Sequence, residues 1–111
     1  MGNKFFRHKF NAKPTTINDI RFASKLEAAY YVDLLERVKP DYSGDKPRVI
    51  FFLMQTPFHL AGGVKYVIDF QEFHEDGTVH FIDVKGRPTP MYKLKKKLVE
   101  SQYPIKIEEV K

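Results

Sequence analysis

The chain has 111 residues, no cysteine and a formal net charge of +5 at pH 7. Its length suits one hydrophobic core, and the lack of cysteine excludes disulfide frameworks, thiolate zinc sites and cysteine nucleophiles. No apolar run approaches the roughly 20 residues of a membrane-spanning helix, and the basic N-terminus lacks the apolar segment of a signal peptide. We therefore expect a cytoplasmic protein without a membrane partner.

Residues 1–20 are basic, carry interleaved phenylalanines and end in the turn-forming stretch "NAKPTTIND". We interpret them as an N-terminal arm that precedes a single domain of residues 21–111. Arg7, Lys9 and Lys13 are candidate phosphate contacts, because clustered positive charge favours a polyanionic partner such as nucleic acid. The alternatives are a frayed terminus and a charge that only aids solubility.

The stretch "SKLEAAYYVDLLERV" predicts the first helix. Ser24 is a good N-cap, and Glu27 follows three residues later, as in a capping box. Apolar residues at helical spacing are expected to face the core. They are Leu26, Ala29, Tyr30, Leu34 and Val38.

Three strands are predicted next. "RVIFFLMQ" is an apolar run of strand length, which predicts a buried or interface strand that Pro57 ends. The segments from Val64 to Phe73 and from Thr78 to Lys85 predict a hairpin around the turn signal Asp76-Gly77.

The stretch "MYKLKKKLVESQY" predicts a second helix with Met91, Leu94 and Leu98 facing inward and Val99 as a further candidate, and "IKIEEV" predicts a closing edge strand. The order is helix, three-stranded meander, helix and strand. We therefore expect a small α/β domain with one mixed β-sheet flanked by helices.

Asp69 and Asp83 stand in the two strands of the predicted hairpin, where an ionised carboxylate is costly unless it is paired or binds a metal. A strict two-residue turn would pair Asp69 with Val84 and point the two aspartates to opposite faces. A three-residue loop or a bulge shifts the register by one and brings Asp69 to the face of Asp83 and Lys85. The sequence permits this cluster without requiring it.

Two neighbouring carboxylates repel unless a cation lies between them, and Mg²⁺ is the natural cation for oxygen ligands without histidine or cysteine. Lys85 lies two residues after Asp83 and therefore on the same side of the strand. Such a spacing places an ammonium beside a metal ligand, where it can orient a water nucleophile or stabilise a pentacovalent phosphate. The alternative is a plain ion pair between Asp83 and Lys85 on an exposed strand.

These residues resemble a known pattern. The chain is similar to the PD-(D/E)XK nuclease superfamily in one motif: "IDF" is followed after about a dozen residues by "DVKG", and a helical glutamate lies upstream. The core of this superfamily has the element order given above. The resemblance runs from about Phe22 to Val110 and implies a restriction-endonuclease-like fold. "RFASKLEAAYY", "KYVIDF", "DVKG" and "YKLKKKL" resemble small phage-encoded endonucleases organised like archaeal Holliday junction resolvases.

The resemblance implies roles for individual residues. Glu27 corresponds to the first-helix glutamate that helps bind metal. Asp69 corresponds to the bridging metal ligand, and Asp83 corresponds to the (D/E) metal ligand. Lys85 is the catalytic lysine, and the carbonyl of Val84 is a further metal ligand. Ile68 precedes Asp69 where the motif has proline. For Glu27, catalysis competes with the capping-box interpretation.

The second helix carries many lysines, and such a concentration of positive charge suits the neutralisation of DNA phosphates. The candidate DNA contacts of this region are Arg87, Tyr92, Lys93, Lys96 and Lys97. The alternative is a solvated helix face.

Together these features predict a Mg²⁺-dependent endodeoxyribonuclease, with Mn²⁺ able to substitute. Its expected substrate is branched or duplex DNA, most specifically a Holliday junction. Its expected location is the cytoplasm, which is that of the host cell if a phage encodes the protein. Paired symmetric nicks imply a homodimer, and the apolar stretch "RVIFFLMQTPFHL" is a candidate interface. The alternatives are another nuclease of the same fold and a non-catalytic DNA-binding module.

Overall fold

The computed structural model describes residues 14–111 as six strands and two helices. A short hairpin comes first, and the remaining elements form a four-stranded sheet with two helices. The elements are β1 (Thr15–Ile17), β2 (Ile20–Phe22), α1 (Lys25–Arg37), β3 (Val49–His59), β4 (Lys65–His74), β5 (Val79–Val84), α2 (Pro90–Gln102) and β6 (Ile107–Val110).

The main sheet has the strand order β3-β4-β5-β6. Strands β3, β4 and β5 form an antiparallel meander, and β6 returns parallel to β5 after α2. The predicted mixed sheet and the order helix, meander, helix, strand are therefore confirmed. One apolar cluster joins α1 to the sheet through Phe70, Ile82 and Val84, and a second joins α2 to Tyr66 and Ile68.

The hairpin of β1 and β2 was not predicted. Asn18 and Asp19 form its turn with φ values of 52° and 64°, which asparagine and aspartate tolerate better than most residues. Phe22 at its end is fully packed in the α1 cluster. The predicted boundary between arm and domain at residue 20 therefore falls inside β2.

Helix α1 begins after Ser24, whose hydroxyl accepts a hydrogen bond from the Glu27 amide at 3.1 Å. The predicted inward stripe is only partly correct: the helix buries Glu27, Ala28, Tyr31, Leu34 and Arg37. Ala29 is exposed. The stripe is rotated because Tyr31 packs against Phe22 and Phe52, and this rotation turns Glu27 toward the sheet.

The prediction that Pro57 ends β3 is wrong, because the strand continues to His59. β3 is an edge strand, and an edge strand tolerates proline where its missing N–H would face away from the sheet. One side of β3 is left uncovered, and Ile50, Phe51 and Leu53 are about half exposed.

The predicted inward face of α2 is wrong for three residues and correct for Val99. Met91, Leu94 and Leu98 are exposed, whereas Tyr92 and Val99 are buried. The buried stripe includes Lys95 and Lys96 at intermediate exposure, because long lysine stems cover apolar surface while their ammonium groups stay in water.

Candidate active site

The hairpin of β4 and β5 has the register that a carboxylate cluster needs. The His74 amide donates to the Thr78 carbonyl at 2.9 Å, so residues 75–77 form a three-residue loop, with Gly77 at a φ of 89°. Phe70 pairs with Ile82, and one further step in this register places Asp69 opposite Asp83. The predicted departure from a two-residue turn is confirmed.

The two aspartates interrupt the backbone ladder at this step. The Asp69 amide donates to Asp83 Oδ1 at 3.2 Å, and the Val84 amide donates to Asp69 Oδ2 at 2.9 Å. Each carboxylate thus accepts a backbone N–H from the opposite strand, and both side chains are buried. This exchange holds the two carboxylates in fixed positions side by side.

Lys85 joins the same face. Its Nζ lies 3.9 Å from Asp69 Oδ2 and 4.0 Å from Asp83 Oδ1, and it lies over the Tyr92 ring, 5.0 Å from the centroid. One ammonium therefore contacts two carboxylates, which leaves a net negative charge in the cluster. A plain ion pair between Asp83 and Lys85 would not have this excess charge.

The Asp83 carboxylate is not satisfied by its protein partners. Burial raises its pKa, while Lys85 and the Asp69 amide oppose the rise. Its Oδ2 atom is buried and has no hydrogen-bond partner among residues 14–111. A buried polar atom without a partner costs about 1–3 kcal/mol, so this oxygen is a free position for a donor or a cation.

Glu27 faces the cluster from α1. Burial first, and then the charge of Asp69, raises its pKa to about 7, whereas Lys85 and a backbone hydrogen bond from Ala23 lower it. Gln55 Nε2 donates to Glu27 Oε2 at 3.4 Å. The Glu27 side chain therefore faces Gln55 and the carboxylates of the hairpin.

Gln55 has a strained backbone. Its φ is 55°, which is uncommon for a residue other than glycine. It stands between the pairs Met54–Phe70 and Thr56–Ile68, and hence opposite Asp69. The only sequence signal was a polar residue at the end of an apolar run.

A cavity of about 1160 Å³ meets most of these groups. It is lined by Glu27, Gln55, Asp69, Val84 and Lys85, together with Arg21 and Arg87, whereas the fully buried Asp83 is not among its lining residues. Arg21 was missed by sequence reasoning because it precedes the helix within an unpredicted strand. The cavity lining therefore combines two carboxyl groups with a lysine and two arginines, a charge arrangement that suits a phosphate bound beside a cation.

The residues partly fit a divalent cation. Asp69 and Asp83 offer hard oxygen ligands of the type that Mg²⁺ prefers, and the unpartnered Oδ2 of Asp83 leaves one of them free. Within residues 14–111, however, no group of three or more histidine, aspartate or glutamate side chains is close enough to hold a metal. Glu27 therefore faces the pair without completing a set of side-chain ligands.

The predicted DNA contacts separate into different groups. Lys93 and Lys97 are exposed on α2, and Arg87 is exposed beside the cavity. Tyr92 is 7% exposed, and its hydroxyl already donates to Glu109. Lys96 is paired with the same carboxylate at 3.2 Å. Arg7, Lys9 and Lys13 lie outside the described residues.

The chain belongs to a family without an assigned function: the family model "Protein of unknown function (DUF1064)" matches residues 7–110. No curated protein and no solved structure matches it. In the part of the chain that the structure describes, neither helix is long and apolar enough to cross a membrane.

Proposed function

We propose that the chain is a metal-dependent endodeoxyribonuclease of the PD-(D/E)XK superfamily. The observation that carries the proposal is the convergence of Asp69, Asp83 and Lys85 on one face of the hairpin, with the buried Oδ2 of Asp83 lacking a partner among residues 14–111. A fold that keeps two buried carboxylates side by side loses stability. Such a cost is typical of functional sites.

The proposed reaction is hydrolysis of a DNA phosphodiester. A water oxygen forms a bond to phosphorus, the bond from phosphorus to one sugar oxygen breaks, and the departing oxygen takes a proton. Asp69, Asp83 and the Val84 carbonyl would hold Mg²⁺ or Mn²⁺, and such an ion would lower the pKa of a bound water and offset charge on the phosphate. Lys85 stabilises that charge from the protein side, and Glu27 hydrogen-bonds the attacking water.

The most specific substrate that we propose is a Holliday junction. Few features of the chain suit base-specific recognition, whereas the arginines and lysines around the cavity suit phosphates and hence the shape of the DNA. Junction resolution needs two symmetric nicks, which two copies of one small chain supply. The reaction would take place in the cytoplasm, that of the host cell if a phage encodes the chain.

A second candidate is a non-catalytic DNA-binding module. It is favoured by the reciprocal hydrogen bonds from the Asp69 and Val84 amides, because they give both carboxylates a structural role in ending the ladder. Against it stands the unpartnered Asp83 oxygen, which a purely structural carboxylate would not need.

Cleavage of a labelled four-way junction and of a linear duplex, each with Mg²⁺ or with EDTA, tests the proposal. We expect paired nicks in the junction with Mg²⁺ only. Equal cutting of linear duplex would favour another nuclease of this fold. DNA binding without cleavage, both with Mg²⁺ and with EDTA, would favour the non-catalytic DNA-binding module.

The exposed lysines of α2 give a prediction for binding. Replacing Lys93 and Lys97 together with alanine is expected to weaken binding to all DNA and to reduce the slope of log K against log salt by about 1.8, or about 0.9 for each phosphate contact. Lys96→Ala is the matched control with a smaller effect, because Glu109 already pairs with Lys96. Fluorescence anisotropy over a salt series measures the slope. An unchanged slope would show that the α2 lysines do not contact DNA phosphates and form a solvated helix face.

The uncovered side of β3 gives a prediction for the homodimer. Phe51 stacks on Phe73 with 4.3 Å between ring centroids, and Phe51 and Leu53 are 49% and 46% exposed. An apolar patch of this kind on a small protein is typical of an interface, and we propose that a second copy covers it. Phe51→Glu with Leu53→Glu is expected to convert the dimer to a monomer in light scattering.

The matched control for the dimer is Val32→Glu, because Val32 on α1 is 44% exposed. This variant is expected to stay dimeric. A wild-type monomer, or a dimer that persists in the Phe51 and Leu53 variant, would exclude β3 as the interface.

A further inference from the structure

A second cavity, of about 500 Å³, shares Lys85, Arg87 and Thr89 with the lining of the first. Four cationic side chains line it: Lys65, Lys85, Arg87 and Lys95. None of its lining residues in the described part of the chain is aspartate or glutamate. Like charges that share a small cavity repel one another, so this arrangement favours an anion in the cavity.

Tyr66 also lines this cavity, and its hydroxyl is the second observation that points to a ligand. The side chain is 5% exposed, and the hydroxyl has no hydrogen-bond partner among residues 14–111. Buried tyrosine hydroxyls usually find a partner, and phenylalanine would fill the same space without the cost of an unpaired polar group. The hydroxyl is therefore a donor without a protein acceptor.

The cavity also meets the start of α2. Thr89 is the N-cap of this 13-residue helix and lines the cavity. The N-terminal end of a helix carries partial positive charge and favours anions. The lysines, the arginine and the helix terminus thus provide positive charge to one small volume, and the unpaired hydroxyl belongs to a residue that lines the same volume.

We propose that this cavity is a phosphate-binding subsite that seats the phosphodiester next to the one that is cleaved. Phosphate fits better than a carboxylate, because it presents more acceptor oxygens to the surrounding donors. Lys85, Arg87 and Thr89 line both cavities, so the two cavities are neighbours and suit neighbouring phosphates of one strand. The assignment to a neighbouring phosphodiester rests on the proposed nuclease function, whereas phosphate binding itself does not.

The first arm of the test uses inorganic phosphate and the intact, metal-free chain. In an NMR titration, amide shifts are expected to concentrate at Tyr66, Thr89 and Lys95. The variant Lys65→Gln with Lys95→Gln is expected to weaken phosphate binding about tenfold. Lys106→Gln is the matched control, because Lys106 is exposed and lines neither cavity. Shifts spread evenly over all lysines would overturn the subsite.

Tyr66→Phe separates ligand binding from a structural role. A hydroxyl that serves only the fold would change thermal stability and leave phosphate affinity unchanged. A hydroxyl that donates to phosphate gives a variant that is equally or more stable and binds phosphate several-fold more weakly. Unchanged phosphate affinity would overturn the role of Tyr66 whatever its effect on stability.

The second arm uses a four-way junction in EDTA and distinguishes the source of the phosphate. The Lys65 and Lys95 variant is expected to bind the junction at least tenfold more weakly and to lower the salt slope by about 1.8. Phosphate binding that is lost while junction binding is unchanged would restrict the cavity to free phosphate or a terminal phosphate. Cleavage does not enter either arm, so failure of the nuclease assay and failure of the subsite are distinguishable.

Discussion

Asp83→Asn is expected to lower the rate of DNA cleavage in Mg²⁺ by at least about a thousandfold while leaving junction binding largely intact. The substitution removes one carboxylate from the proposed metal site, and a bound metal supplies several kcal/mol of transition-state stabilisation. The amide keeps an oxygen that can accept from the Asp69 N–H, a bond of 3.2 Å in the wild type. Single-turnover cleavage and anisotropy measured on the same preparation separate the two effects.

The same variant is not expected to be less stable. Burial raises the pKa of Asp83 above its ordinary value of 3.8, so ionisation of this group destabilises the folded state. Removing the charge should leave the free energy of unfolding unchanged or raise it by about 1 kcal/mol. A gain is expected above the pKa of Asp83 in the folded state and should vanish below 3.8, where the carboxyl is protonated in both states.

Asp45→Asn is the matched control, because Asp45 is exposed in the loop before β3. It makes the same chemical change and should alter neither cleavage nor stability. Near-wild-type cleavage by Asp83→Asn in Mg²⁺ would contradict the assignment of the active site.

Arg37→Ala is expected to lower the free energy of unfolding by about 3–5 kcal/mol, because it leaves a buried charge unpaired. Arg37 Nη2 lies 3.5 Å from Glu72 Oε1, and its Nε donates to the Pro47 carbonyl at 3.0 Å. Tyr30 also donates to Glu72, and His74 Nε2 lies 2.8 Å from Glu72 Oε1. This buried network ties α1 to β4. Urea unfolding measures the loss.

Arg48→Ala is the matched control for Arg37. Arg48 pairs with the exposed Glu75 at 3.7 Å and, like Arg37, also donates to backbone carbonyls, those of Lys39 and Val38. It has no buried carboxylate partner, and partly exposed ion pairs contribute about 0–1 kcal/mol. Arg37 does not line the candidate active-site cavity, so cleavage per folded molecule should be unchanged. A loss of stability for Arg37→Ala no larger than for Arg48→Ala would show that the network contributes little to stability.

Some of the architecture was predictable from local patterns. The meander, the second helix and the closing strand follow from apolar runs separated by turn signals, and Ser24 marks the start of α1. The register of β4 and β5 was predictable only from a functional argument, because two carboxylates must share a face to share a cation. The three-residue loop that realises it begins after His74.

Other features depend on tertiary contacts that no local pattern contains. Helix α2 offers two stripes of similar apolar content, and the sheet selects the one with Tyr92 and Val99 because Tyr92 packs on Tyr66. Hydrophobic spacing favoured Met91, Leu94 and Leu98, which are exposed, besides the buried Val99. The positive φ of Gln55, which stands opposite Asp69, likewise has no signal in the local sequence.

Anomalous diffraction from crystals soaked in Mn²⁺ measures whether Asp69 and Asp83 together hold a divalent cation. We expect an anomalous peak about 2.0–2.6 Å from an oxygen of each aspartate, as is usual for hard cations. The other expected ligand is the Val84 carbonyl, and the Asp83 ligand is its Oδ2, which has no hydrogen-bond partner among residues 14–111. The peak should be absent in Asp83→Asn. A well-ordered site without a peak at millimolar Mn²⁺, or a peak that leaves Asp83 unbound, would exclude a cation shared by the two aspartates.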